Sequence, residues 1–181
     1  MLGSLAMIFM TSNDIELKIN LKSEFENLKH LIIITVITFT IILTFLFYYN
    51  IPLIASLILI YYLVFNLFPV LILHNNYEKH NRNKSLIFSE NYLLFGNKQV
   101  IYEDILCINI YGTYQSINKN SAGILPYQSE YFYIEILNNK NEKLFLTSLY
   151  STELENIFNK KLSPKNINRI IVSFPKIKNY R

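Results

Sequence analysis

The chain has 181 residues, 51% of them hydrophobic, and a formal net charge of +4 at pH 7. That length accommodates a membrane hairpin plus one domain of about a hundred residues and no more. The single Cys107 excludes an internal disulfide and fits a reducing compartment.

Residues 1–10 are apolar but short and lack a basic leading stretch, so they do not read as a signal peptide. Residues 15–22, IELKINLK, alternate strictly between apolar and polar, the period of a half-buried strand. Ser23 and Glu26 have the spacing of a capping box, which predicts a helix start directly after that strand. A lone two-sided strand needs a sheet. The only one available follows the apolar region, so the strand is expected to join the C-terminal domain.

Residues 31–73 contain no charge. Residues 31–49 and 53–73 each match the roughly 20 apolar residues that a helix needs to cross a bilayer. Asn50-Ile51-Pro52 between them stops a helix and turns the chain. Lys18, Lys22 and Lys29 precede the first span, and Lys79, Arg82 and Lys84 follow the second, so the positive-inside rule puts both termini in the cytoplasm. Tyr48 and Tyr49 suit the far interface. Within the spans, Thr35, Thr38, Thr40 and Thr44 can bond to their own helix. Asn66 needs a helical or aqueous neighbour, within one hairpin or between subunits.

Residues 74–84 are polar and Asn-rich and read as a linker, with His74 and His80 exposed at the membrane surface. Short strands follow. Residues 85–89 and 92–95 flank a turn at Glu90-Asn91, and Gly96-Asn97-Lys98 makes the next turn. Residues 99–102 and 105–111 continue, with Leu106, Ile108 and Ile110 on one face and Cys107, Asn109 and Tyr111 on the other. A long connection spans 112–128. Residues 131–137 form a strong strand, 138–141 turn it, and 143–148 return. Thr152 and Glu155 have the spacing of a second capping box, ahead of a helix whose Leu154, Ile157, Phe158 and Leu162 share one face. Residues 169–174 read as a last strand and 176–181 as a basic tail. The fold class is therefore a membrane α-helical hairpin plus an all-β domain, residues 85–181. The domain has six to eight strands and is expected to be a small antiparallel β-barrel with one amphipathic helix.

The composition argues against catalysis. No P-loop or GxGxxG occurs, and no histidine lies beyond His80. One cysteine and scattered carboxylates make neither a metal site nor a nucleophile–base pair, so no cofactor is expected. Glu103-Asp104 reads as a solvated pair. Binding fits better: the β domain is rich in tyrosine, and every charged residue after Glu155 is basic. Rings beside cations suit a nucleotide, although strand tyrosines and lipid-facing lysines give the same pattern. Arg169 is the candidate phosphate contact, because guanidinium is bidentate. Tyr111, Tyr114 and Tyr127 flank the long connection and are candidates for base stacking, with Lys119 inside it.

The layout of spans 31–49 and 53–73 followed by a β domain over 85–181 resembles the two-transmembrane, β-strand-rich effectors of CBASS antiphage systems. The resemblance implies that a cyclic oligonucleotide binds the barrel, that subunits assemble, and that the hairpins disrupt the inner membrane. It implies no nucleic-acid polymer as partner. The chain also looks like bacterial proteins with a pleckstrin-homology-like domain after two helices, carried by 85–96, 101–105 and the helix 152–162. That resemblance implies a non-enzymatic anchor for a lipid or protein ligand. The tryptophan often found in such domains is missing, and the strand at 169–174 is extra.

Overall fold

The spans form because their apolar runs can satisfy every backbone group only as helix once out of water. The structure, a computed structural model, describes residues 14–118, 125–161 and 167–178. The apolar start at 1–10, Lys119, Leu162 and the end of the basic tail lie outside these. The first helical run is α1 (Leu21–Leu43) plus a π-helical turn (Thr44–Tyr48). The second comprises α2 (Pro52–Tyr62), a π-helical turn (Leu63–Leu67) and α3 (Phe68–Asn81). Both are long and apolar enough to cross a membrane, and only 11% and 22% of their most apolar windows are buried. Buried core helices of a soluble protein would not leave such faces open. The chain is a two-span membrane protein.

Asn50 makes the hairpin turn at φ 54, a left-handed conformation that asparagine tolerates better than most residues, and Pro52 opens α2. The second π turn directly precedes Phe68-Pro69. Proline has no N–H and crowds the carbonyl four residues back, which a widened turn accommodates. Thr35, Thr40 and Thr44 donate to the carbonyls of Leu31, Val36 and Thr40. Thr35 Oγ1 also lies 2.6 Å from the Tyr62 hydroxyl, joining the two spans. Asn66 is buried within its π turn.

Both helices outrun the apolar segments. Residues 74–81, expected as linker, continue α3, and α1 starts at Leu21. The first cap is also shifted by three residues from the expected Ser23–Glu26 box. Asn20 is the N-cap and its side chain accepts from Ser23 N, while Ser23 Oγ accepts from Asn20 N. Asparagine three residues ahead caps as well as serine does.

Strand β1 (Ile15–Lys18) is shorter than expected but pairs antiparallel with β2 (Ser85–Phe88), across the whole hairpin. β2 pairs with β3 (Tyr92–Phe95), and β3 with β4 (Lys98–Ile101). A 3₁₀ turn at Tyr102–Asp104 carries the chain to β5 (Ile105–Gly112). Two short helices, α4 (Tyr114–Ile117) and α5 (Pro126–Glu130), occupy the long connection. β6 (Phe132–Asn138) and β7 (Lys143–Thr147) follow, then α6 (Leu154–Lys161) and β8 (Ile167–Ile171). Ahead of α6, Ser151 Oγ accepts from Glu153 N at 3.0 Å, one residue before the expected Thr152 cap.

The expected barrel is replaced by two four-stranded sheets, β1-β2-β3-β4 and β7-β6-β5-β8, with no closure between them among the described residues. The expected last strand starts two residues earlier, and β8 is parallel to β5. A parallel partner requires a crossover, which α6 supplies, and β8 thereby extends the second sheet instead of bridging to the first. Leu106 does not share the face of Ile108 and Ile110. A bulge between Ile105 and Cys107 leaves it 48% exposed.

The two sheets share one core: Leu86, Phe88, Leu93 and Phe95 meet Ile108, Ile110, Ile134, Ile136 and Leu146, and Leu154 and Phe158 of α6 close it. Each such side chain contributes about 1.5–3 kcal/mol on burial. The opposite face of the second sheet is also covered. Tyr131 and Tyr133 pack with Leu31, Val70, Leu73 and Tyr77 from the ends of the spanning helices. β6 is therefore buried on both faces.

Candidate functional site

The candidate ligand residues do not converge. In the register of β5 with β8, Ile110 faces Arg169 and Tyr111 faces Ile170. Neighbours in register share a face, and successive residues alternate. Arg169 therefore stands on the α6 side of the sheet, and Tyr111 on the side of the spanning helices. Arg169 Nε and Nη2 donate to Glu155 Oε1 at 2.9 and 2.7 Å. Tyr111 stacks on Tyr133 with centroids 4.7 Å apart and planes 11° apart. Tyr127 on α5 meets Phe174 edge-on at 5.7 Å, and Tyr114 on α4 is 54% exposed. Lys119 lies outside the described residues.

What the tertiary structure does assemble is a junction between the hairpin and the second sheet. His30 Nδ1 on α1 lies 2.6 Å from Glu130 Oε1 at the end of α5. His74 Nδ1 on α3 lies 3.2 Å from the hydroxyl of Tyr131, the next residue. Each spanning helix thus places one imidazole on the Glu130-Tyr131 pair. The histidines are engaged rather than freely exposed, since His80 Nδ1 is also 2.8 Å from Asn76 O. Burial raises the Glu130 carboxyl above its ordinary value, against the opposing pull of His30, and burial likewise raises the Tyr131 hydroxyl.

Further bonds extend this seam. Asn27 Nδ2 on α1 donates to Ser148 O at 3.1 Å, and Asn81 Nδ2 on α3 donates to Phe145 O at 2.9 Å. Tyr150 donates to Asn81 O and Lys84 O. Tyr77, fully buried, donates to Pro175 O at 2.6 Å, while Asn76 Oδ1 accepts from Ile177 N at 2.9 Å. The C-terminal segment is thereby strapped to α3. Four buried polar atoms here, Asn27 Oδ1, Asn81 Oδ1, Thr147 Oγ1 and Ser148 Oγ, have no partner among the described residues.

The helical stripe Val70, Leu73, Tyr77, Asn81 is the sequence signal that reveals this junction. All four are buried, at i, i+3, i+7 and i+11, and they cross from span to apparent linker without a break. Among the described residues no group of three or more His, Cys, Asp or Glu stands close enough to hold a metal ion.

No protein-family model, curated protein or solved structure matches this chain.

Proposed function

We propose that the chain is a non-enzymatic membrane effector: a small ligand binds the β domain, copies assemble, and the hairpins disrupt the bilayer. One observation carries the reading. Each spanning helical run continues without a break into the domain and is fixed there by buried side chains. A change in the domain's pose therefore moves the spans as rods. One hairpin cannot line a pore, so the ligand acts by favouring an assembled state through differential affinity. The ligand class is a cyclic oligonucleotide, which the CBASS-like layout implies, and the membrane is the bacterial inner membrane with both termini cytoplasmic.

The test uses the full chain in dye-loaded liposomes, challenged with a panel of cyclic di- and trinucleotides, with light scattering on micelles in parallel. Ligand-dependent growth in mass and leakage are expected. Their absence across the panel overturns the effector reading. A reporter active only in the periplasm, fused after residue 181, should stay silent; strong activity overturns the orientation. The second reading is a membrane-anchored binding module for a lipid or protein. It is favoured by the engagement of Arg169 with Glu155 and of Tyr111 with Tyr133, and it is what remains if no leakage occurs.

A further inference from the structure

We propose that a basic notch where α3 hands over to β2 binds a phosphate-bearing small molecule. This deepens the effector reading and rests on it for the ligand's role. Two adjoining cavities of about 250 and 330 Å³ share Asn83 and Lys84. The larger falls within the size range of small-molecule sites. Lys18 of β1 lines one and Lys98 of β4 lines the other. Lys84 thus lines both cavities, with Lys18 on one side and Lys98 on the other.

The notch is built by two left-handed turns. Asn83 (φ 61) leads the chain from α3 into β2, and Gly96 (φ 57) turns β3 into β4. Gly96 N donates to Ser85 O at 2.8 Å, which joins the two turns. A Cβ at Gly96 would stand 3.5 Å from Lys84 Cγ, so the stem of Lys84 lies against this turn. Its ammonium is positioned by donation to His80 O at 2.6 Å and by the Phe95 ring, whose centroid is 5.0 Å away.

The electrostatics favour an anion. Among the described residues no carboxylate lines either cavity. Glu16 pairs with Lys18 at 2.7 Å and offsets its charge, so Lys84 and Lys98 carry the notch's attraction for an anion. Glu142 lines a separate cavity of about 20 Å³ that Lys98 also borders. Burial and the charge of Lys98 lower the pKa of Lys84. An anion beside Lys84 and Lys98 offsets their mutual repulsion, and phosphate oxygens offer charge-assisted acceptors.

Position distinguishes the two sources of phosphate. Asn81 lies eight positions beyond Leu73 on α3, a rise of about 12 Å along the helix axis. A headgroup layer extends only about 5–8 Å beyond the hydrocarbon. With α3 along the membrane normal and Leu73 at the hydrocarbon edge, the notch stands beyond that layer, which favours a soluble ligand.

The experiment titrates inorganic pyrophosphate and cyclic diadenylate into the full chain in a neutral detergent. Parent protein is compared with Lys84→Gln, Lys98→Gln and Arg169→Gln. Pyrophosphate should bind with an affinity that falls with salt, weakened at least about tenfold in each lysine variant and unchanged in Arg169→Gln. Lys98 is exposed, so its variant reports even if loss of the Lys84 stem disturbs folding. Binding that is unchanged in Lys98→Gln, or lost in Arg169→Gln, overturns the notch. Flotation on phosphatidylinositol bisphosphate vesicles, compared with phosphatidylcholine alone, tests the lipid source. Binding there that pyrophosphate displaces and Lys98→Gln abolishes overturns the soluble-ligand assignment. Leakage driven by cyclic diadenylate that persists in Lys98→Gln removes the notch and leaves the effector reading. Pyrophosphate held by the notch, with no leakage across the cyclic nucleotide panel, supports the site and removes the effector reading.

Discussion

Replacing Tyr77 tests whether the spanning helix and the domain behave as one body. Its ring is fully buried between Tyr131 and Tyr133, with centroids 5.7 and 6.4 Å away, and its hydroxyl donates to Pro175 O at 2.6 Å. Tyr77→Phe keeps the ring and deletes only the donor, leaving a carbonyl short of its partner, at a cost of about 1–3 kcal/mol. Tyr77→Ala also empties the space between the sheet and α3 and costs about 3–5 kcal/mol, the range for large aromatic truncations. The two should differ in place as well as size. The phenylalanine variant releases the strap formed by residues 174–178, whose Ile177 N is otherwise held by Asn76, while the alanine variant loosens β6 as well. Hydrogen exchange read by mass spectrometry, on protein in micelles, separates these outcomes. Amides of the strap should exchange about tenfold to a hundredfold faster in Tyr77→Phe, with β6 unchanged. If the strap exchanges at the parent rate, or if β6 accelerates equally, the hydroxyl is not what fastens this segment and the reasoning fails.

Gly112→Ala should destabilise the domain by about 1–3 kcal/mol, because the added Cβ overlaps Ser116 Oγ and stands 3.3 Å from Phe132 Cβ. Adding Ser116→Ala in the same chain should recover part of that loss in urea melts, and no recovery would show that the overlap is not the cause. Leu17→Asp places a carboxylate against the shared core and should make the β domain cleavable by protease at concentrations the parent resists; equal resistance would mean that β1 does not pair there. Burial holds the folded Glu130 carboxyl above its ordinary 4.5, so the folded chain binds that proton more tightly than the unfolded one. Its contribution to stability is complete below about pH 4.5 and is lost as pH rises through the raised value. Glu130→Gln should flatten that segment of the stability profile, and an unaltered slope would assign it to another group.

The spans were legible in the sequence because an uncharged run of sufficient length leaves the backbone no alternative to helix in lipid, and Asn50 and Pro52 mark the turn between them. The alternation of Ile15 and Leu17 with Glu16 and Lys18 required a sheet partner, which β2 provides. Leu154, Ile157 and Phe158 announced the buried face of α6. The candidate site was less legible. Arg169 and Tyr111 have the right chemistry, but Arg169 faces α6 and Tyr111 faces the spanning helices. Periodicity states which way a side chain points relative to its sequence neighbours, and says nothing of which strand lies alongside. Only the tertiary structure decided that β8 runs parallel to β5 and that the strands of the described residues divide into two sheets of four. It also decided that Asn27 and Asn81, polar residues on apparently solvated helix ends, are buried, Asn81 against β7 and Asn27 against the residue that follows it. Asn27 bonds to Ser148, 121 residues away, and no local pattern encodes a contact at that separation.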